Sequence, residues 1–261
     1  MYDRGMSEPE HPNPDSALVG VVAADPLEEA RKRLIVALDV PDAASAHALA
    51  DRLENTCHWF KVGLELFTAA GPAVIEPLLR RGHAIFLDLK FHDIPNTVAG
   101  AVRSAAGLGV HMLTIHGAGG PAMLAAAHKA LEGRPNPPQL LAVTVLTSMD
   151  MAQLAATGNE HSPAGEVELI ARMAMTEGIR GFVCSPQEVD NLRHVTGPEG
   201  VLVIPGIRPA GARAGDQKRI ATPAEALRSG GSFLVIGRPI TQAANPAQAA
   251  EAILKEMAQA L

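Results

Sequence analysis

From Arg33 onward the chain alternates between short apolar runs and longer, Ala-rich stretches with helical patterning. The runs are Leu34–Asp39, Trp59–Gly63, Ala84–Lys90, Val110–His116, Leu140–Thr147, Gly181–Ser185, Val201–Gly206 and Phe233–Gly237. They are continuous rather than alternating, which marks strands covered on both faces and hence a parallel sheet. Helical patterns such as Ala43–Glu54 and Pro121–Leu131 fill the intervals. Eight βα units in about 230 residues predict a closed (β/α)8 barrel, the TIM-barrel form of the α/β class. A doubly wound open sheet is the alternative, but it usually has fewer strands, and no GxGxxG follows the first run.

The polar residues fall at one end of these runs. Asp39 ends the first, Lys61 lies near the end of the second, and Asp88 and Lys90 end the third. His116 ends the fourth, Thr147 and Ser148 the fifth, and Ser185 the sixth; Arg208 follows the seventh and Arg238 the eighth. In a barrel all carboxyl ends of the strands meet on one face, the face that carries active sites. The pattern therefore predicts one polar pocket on an otherwise apolar scaffold.

The densest segment is Asp88-Leu-Lys-Phe-His-Asp-Ile-Pro-Asn-Thr97. Side chains alternate along a strand, so Asp88 and Lys90 are expected on one side and Leu89 on the other, toward the helices. Asp93 lies just past the strand, and Pro95 suits a helix start. A lysine between two carboxylates stays charged, which makes it a poor Schiff-base nucleophile and a ready proton donor. Lys61, arriving from the neighbouring strand, extends the set to an alternating Lys–Asp–Lys–Asp array. A structural ion-pair network is the other reading of Asp-x-Lys; convergence of four charges on the catalytic face of a barrel favours function.

The second cluster is Pro205-Gly-Ile-Arg-Pro209, then Asp216-Gln-Lys-Arg219, then Gly237-Arg238. Loops after the seventh and eighth strands are the usual phosphate site of this fold. Gly237 allows close backbone approach, and Arg238 offers a planar fork for phosphate oxygens. The loop over 206–221, with Gly206, Gly211 and Gly215, has the length and hinges of a lid. A solvated basic loop is the alternative. His116 is expected to be a satisfied structural histidine, Cys184 a small core residue, and Asp39 a hydrogen-bond acceptor for a sugar hydroxyl.

Composition narrows the classes. Hydrophobic residues make up 47% and aromatics only 3%, so the core is expected to rest on Ala, Val, Leu and Ile. A net charge of −6 argues against general nucleic-acid binding but leaves room for a local basic pocket. Two cysteines, Cys57 and Cys184, make no disulfide framework, and a reduced, cytoplasmic setting is expected. No apolar stretch reaches the roughly 18 residues of a membrane span. No metal-ligand motif such as HExxH occurs, and no metal or organic cofactor is expected. Residues 1–31 read as an N-terminal extension, with residues 32–261 forming the barrel domain.

These residues resemble the orotidine 5′-phosphate decarboxylase family. LDLKFHDIPNT at 87–97 looks like the family signature almost throughout, and the resemblance runs from about residue 32 to 242. It passes through ALD at 37–39, FKVG at 60–63, VTVLTS at 143–148, PGIRP at 205–209, DQKR at 216–219 and IGRPI at 236–240. Asp-x-Lys-x-x-Asp alone is shared with a related sugar-phosphate decarboxylase; its combination with Ile94-Pro-Asn-Thr97 and the Gln217 loop is far more specific.

The resemblance implies a cofactor-free carboxy-lyase of pyrimidine biosynthesis that turns orotidine 5′-monophosphate into UMP and CO2. By the same resemblance, Lys90 delivers the proton to C6 and Asp88 sits against the substrate carboxylate. Lys61 and Asp39 bind ribose hydroxyls. Asp93, Ile94 and Thr97 reach into the partner subunit's site in a homodimer. Thr147 and Ser148 border the pyrimidine. Gln217, Arg238 and the backbone at Gly237 take the phosphate, with Pro205 lining and Arg208 supporting that side. Three rivals stand beside it: a metal-dependent 3-keto-L-gulonate 6-phosphate decarboxylase, a Schiff-base aldolase using Lys90 or Lys61, and an inactive phosphosugar-binding barrel.

Overall fold

A computed structural model of the protein describes residues 25–209 and 219–261. The apolar runs form eight parallel strands: β1 (Leu34–Ala37), β2 (Trp59–Gly63), β3 (Ala84–Phe91), β4 (Met112–His116), β5 (Gln139–Val143), β6 (Gly181–Val183), β7 (Val201–Ile204) and β8 (Phe233–Ile236). Each pairs with its sequence neighbours, and β8 returns to β1 through Leu34↔Leu234, Ile35↔Val235 and Val36↔Ile236. Closure leaves no sheet edge and excludes the open doubly wound alternative.

Period-two alternation divides the core in two. One set of strand residues, including Val36, Phe60, Val62, Ile85 and Leu113, packs outward against the helices. The other set, Ile35, Ala37, Phe86, Met112, Leu141, Val203 and Val235, fills the barrel. Both faces of every strand are thus apolar over most of its length, which is why the runs are continuous in sequence. Ala, Val, Leu and Ile dominate the outer layer, where Phe60 and Phe182 are also fully buried, and the floor of the barrel is aromatic. Trp59 meets Phe233 edge-on at 5.4 Å and His111 at 5.7 Å between ring centroids. His111, exposed at this end of the barrel, accepts at Nδ1 from the Ile85 N–H at 3.1 Å.

Several strands are shorter than the runs that predict them. Pairing stops at Ala37, Val143, Val183 and Ile204, so Asp39, Thr147, Ser148, Ser185 and Gly206 stand in the loops beyond. Helices start at side-chain caps. Asp42 accepts from Ser45 N ahead of Ala43–Leu53, Ser162 from Gly165 N ahead of Pro163–Thr176, and Asn245 from Gln248 N ahead of Pro246–Ala258. Residues 25–31, read from sequence as the end of an extension, are part of this packed body. Asp25 caps the helix Pro26–Arg33, whose Ala30 is fully buried.

Candidate active site

Following the inward-facing positions toward the carboxyl ends of the strands, the chain changes from apolar to polar. Ile35 and Ala37 lead to Asp39, Trp59 to Lys61, Phe86 to Asp88, and Met112 to Thr114. A cavity of about 440 Å³ opens there. Asp39, Lys61, Asp88 and Lys90 line one side; Val145, Leu146, Thr147 and Pro205 line the other.

The four charges form one connected array. Lys61 Nζ donates to Asp39 Oδ1 at 2.9 Å and stands 3.7 Å from Asp88 Oδ2. Lys90 Nζ donates to Asp88 Oδ1 at 2.8 Å. Thr114, wholly buried on β4, donates its hydroxyl to the same Asp88 oxygen at 3.1 Å and accepts from the Lys90 backbone N–H at 2.9 Å. Burial of Asp88 opposes its ionisation. The charges of Lys61 and Lys90, with hydrogen bonds from Lys90 and Thr114, outweigh that and hold its carboxyl below the ordinary range. Asp88 is therefore an anion at neutral pH, flanked by two ammonium groups.

Simple strand alternation accounts for Asp88 and Lys90 sharing the cavity only in outcome. The β3–β4 register shifts between Leu87 and Phe91, and Lys90 sits at φ +50°, in the left-handed region. Leu89 packs against the outer core, as expected. His116 caps the 3-10 turn at Gly117–Gly119, its Nδ1 accepting from Ala118 N at 3.3 Å, and stacks on His92 at 5.1 Å. Burial, then the charges of His92 and Lys90, lowers its pKa, so it is a neutral structural ring outside the cavity lining.

The phosphate-side residues Pro205, Arg208, Gly237 and Arg238 all line the cavity. Arg208 is buried, and its guanidinium donates to Ile207 O at 2.8 Å. Its backbone N–H donates to Ala221 O, and Ile207 and Ala221 form a parallel bridge that ties together the two ends of the long loop. A β-carbon on Gly237 would stand 3.5 Å from that of Ala37 and 3.8 Å from Asp39 Oδ2, so glycine leaves this approach open. Gln217, and the loop residues expected to act as a lid, lie outside the described residues.

Ser148 is exposed and is not part of the cavity lining; Thr147 is. Asp93, Ile94 and Thr97 are exposed and also lie outside the lining of their own chain's cavity. Asp93 Oδ1 accepts from Ile94 N at 2.6 Å, turning the chain into the helix Pro95–Ala106, and Ile94 is 67% exposed. Among the described residues no group of three or more His, Cys, Asp or Glu side chains is arranged to hold a metal ion, and no helix is long and apolar enough to cross a membrane. Cys57 and Cys184 are buried free thiols.

Sequence reasoning missed a buried pair behind the cavity wall. Arg219 and Glu188 form an ion pair at 7% and 3% exposure. Arg219 also donates to Leu146 O at 2.9 Å and Val145 O at 3.3 Å, while Glu188 accepts from Ser185 N and Oγ. This network joins the loops after β5 and β6 to the residue that follows the undescribed stretch. The signal available in sequence was the second half of DQKR; its partner, 31 positions upstream, carries no motif.

The chain's likeness to known proteins follows the same residues. Residues 32–253 match the profile of the Orotidine 5′-phosphate decarboxylase / HUMPS family. The chain belongs to this family. It is 52% identical over 235 residues to the orotidine 5′-phosphate decarboxylase of Moorella thermoacetica, covering 87% of this chain and 93% of that one. It is 54% identical over 231 residues to that of Nostoc sp., covering 86% and 97%. The crystal structure of orotidine 5′-phosphate decarboxylase from Lactobacillus acidophilus superposes with a TM-score of 0.75 at 40% identity, over 86% of this chain and 98% of that one. Family membership therefore spans the whole barrel, and with it all the cavity residues named above.

Proposed function

We propose that this protein decarboxylates orotidine 5′-monophosphate to UMP and CO2 in pyrimidine biosynthesis, with Lys90 as proton donor. The observation that carries the reading is the Asp39–Lys61–Asp88–Lys90 array at the mouth of the barrel, with Lys90 Nζ 2.8 Å from Asp88 Oδ1. Family membership and the named relatives support the same substrate.

Loss of CO2 from C6 leaves an electron pair on a ring carbon with no adjacent carbonyl to absorb it. A fixed ammonium beside that carbon stabilises the pair as it forms, then protonates it, leaving Lys90 neutral until solvent returns the proton. The dipoles and charges are already in place, so little reorganisation accompanies the reaction. Asp88 abuts the substrate carboxylate, and Lys61 and Asp39 hold ribose hydroxyls. Thr147 borders the base, with Ser148, outside the cavity lining, following it in the same loop. Arg238, the Gly237 backbone and Gln217 take the phosphate, with Arg208 and Pro205 shaping that side. Carboxylates beside both lysines make a Schiff-base aldolase the poorer reading.

The exposure of Asp93, Ile94 and Thr97, away from their own cavity, supports a homodimer in which they complete the partner's site. Two buried free thiols fit a reducing, cytoplasmic setting.

The test mixes purified protein with orotidine 5′-monophosphate and follows loss of the orotate absorbance, with and without EDTA. Turnover insensitive to EDTA is expected. No turnover, or turnover abolished by EDTA and restored by magnesium, would overturn the reading in favour of the inactive barrel or the metal-dependent sugar-phosphate decarboxylase.

A further inference from the structure

We propose that Thr114 is a positioning residue for the proton donor: its hydroxyl fixes the backbone of Lys90 and the carboxylate of Asp88 together, and so sets where the Lys90 ammonium stands. The proposal rests on the reading of Lys90 as proton donor. Thr114 occupies the last inward position of β4 before His116 and is completely buried.

The two contacts use one hydroxyl without conflict. The O–H points to Asp88 Oδ1 at 3.1 Å, and an oxygen lone pair takes the Lys90 N–H at 2.9 Å. Asp88 Oδ1 in turn accepts from Lys90 Nζ at 2.8 Å. Thr114, Asp88 and Lys90 thus form a closed ring of hydrogen bonds, entered at the amide of Lys90 and left at its ammonium.

The backbone explains why such a ring is needed. Lys90 is one of two described non-glycine residues with a positive φ, and it lies where the β3–β4 register slips. A left-handed lysine is held only when its surroundings over-determine it. Glycine would relax the torsion but would bring no ammonium. A side-chain oxygen from the neighbouring strand meets the displaced amide, and a lysine is thereby kept in a glycine's conformation. Without that tether, Lys90 can return to extended backbone, which turns its side chain away from Asp88.

The test is the pair Thr114→Val and Thr114→Ser. Valine keeps the shape and loses both contacts; serine keeps both. In Thr114→Val, kcat on orotidine 5′-monophosphate is expected to fall roughly 10- to 100-fold while KM moves less than about threefold. In Thr114→Ser, kcat stays within about threefold of wild type. The acid limb of the kcat profile is expected to move to higher pH in Thr114→Val, because one of the donors that favour ionised Asp88 is gone. A Lys90 ammonium turned away from Asp88 moves the limb in the same direction, while the other charged groups facing Asp88 stay in place: Lys61 from β2, Asp39 beyond Lys61, and His116 further along β4.

Wild-type kcat or an unshifted acid limb in Thr114→Val overturns the proposal, as does an equal loss in Val and Ser, which would trace the effect to packing. Should valine fail to fold, Thr114→Cys keeps the volume with only a weak S–H donor. It is then expected to give an intermediate kcat, and an unchanged one overturns the proposal. Absence of turnover in the wild type would sink the decarboxylase reading alone. The crystal structure of Thr114→Val or Thr114→Cys then decides on its own: Lys90 outside the left-handed region supports the tether, and an unmoved Lys90 ends it.

Discussion

A β-carbon on Gly63 would stand 2.6 Å from the Nζ of Lys61 and 3.3 Å from Asp39 Oδ1. Gly63 has extended backbone, φ −98° and ψ −174°, which any residue adopts, so its smallness serves space and not torsion. Gly63→Ala is expected to displace the Lys61 ammonium, the mobile end of a flexible side chain, while the barrel still folds. Misplacement of a catalytic group by about 1 Å can cost on the order of 100-fold. The expected outcome is a 10- to 100-fold lower kcat/KM, by the same reasoning about roughly an ångström of displacement, with a melting temperature near wild type. Undiminished kcat/KM would show that the ammonium's exact place is unimportant.

Asp88 gives a pH dependence with a definite sign. Its folded pKa lies below the ordinary carboxylate value: burial works against this, and Lys61, Lys90 and the hydrogen bonds outweigh burial. Its stabilising contribution is therefore complete above about pH 5, clear of the unfolded pKa near 4, and is lost as pH falls through the folded value. Urea denaturation between pH 6 and acid pH should show the wild type losing more stability than Asp88→Asn. Parallel losses in the two proteins would contradict this.

Arg238 lines the cavity from the exposed side, at the start of the turn after β8. Arg238→Ala should weaken turnover of the phosphorylated substrate by about 1.5–3 kcal/mol, the worth of a charge-assisted contact. Phosphate-free orotidine should be nearly unaffected. Equal proportional losses on both substrates would mean that Arg238 does not act through the phosphate.

Lys90→Ala and Asp93→Ala proteins, each nearly inactive, should complement one another when subunits exchange. On the proposed shared-site homodimer, a mixed dimer would have one site with both residues and one with neither. Random exchange makes about half the dimers mixed, so activity should return to about a quarter of wild type. Exchange confirmed by native mass spectrometry without recovered turnover would assign Asp93 to its own chain's site.

The Arg219–Glu188 pair predicts a stability effect. Glu188→Ala leaves a buried guanidinium without its counter-charge and should cost about 3–5 kcal/mol in urea denaturation. Replacing both partners, Glu188→Leu with Arg219→Met, should recover most of that loss. A single variant as stable as the double one would show that the pair holds nothing in place.

The fold was legible because inward and outward positions are both apolar until the carboxyl end of each strand. Lys61 and Asp88 could be placed from that parity alone. Thr114 shares the parity but was passed over, because a threonine inside a strand is ordinary and its two partners lie on another strand. The left-handed turn at Lys90 was illegible: nothing in a lysine announces a conformation that glycine favours. Glu188 and Arg219 meet only through tertiary packing, across 31 positions. Asp93, Ile94 and Thr97 are exposed and do not line their own chain's cavity, so one chain's fold leaves their destination open.

The aromatic floor closes the barrel at the end opposite the charged array. Substrate, product and CO2 must therefore all use one mouth, and release of the gas cannot be separated in space from entry of the next substrate. Trp59, in that floor, is the only tryptophan of the chain. Tryptophan emission from the protein consequently originates at the end that ligands do not visit, with Ile35, Ala37 and Phe86 between it and the ammonium groups. The chain carries its own optical gauge of barrel closure, set apart from the chemistry by one layer of side chains.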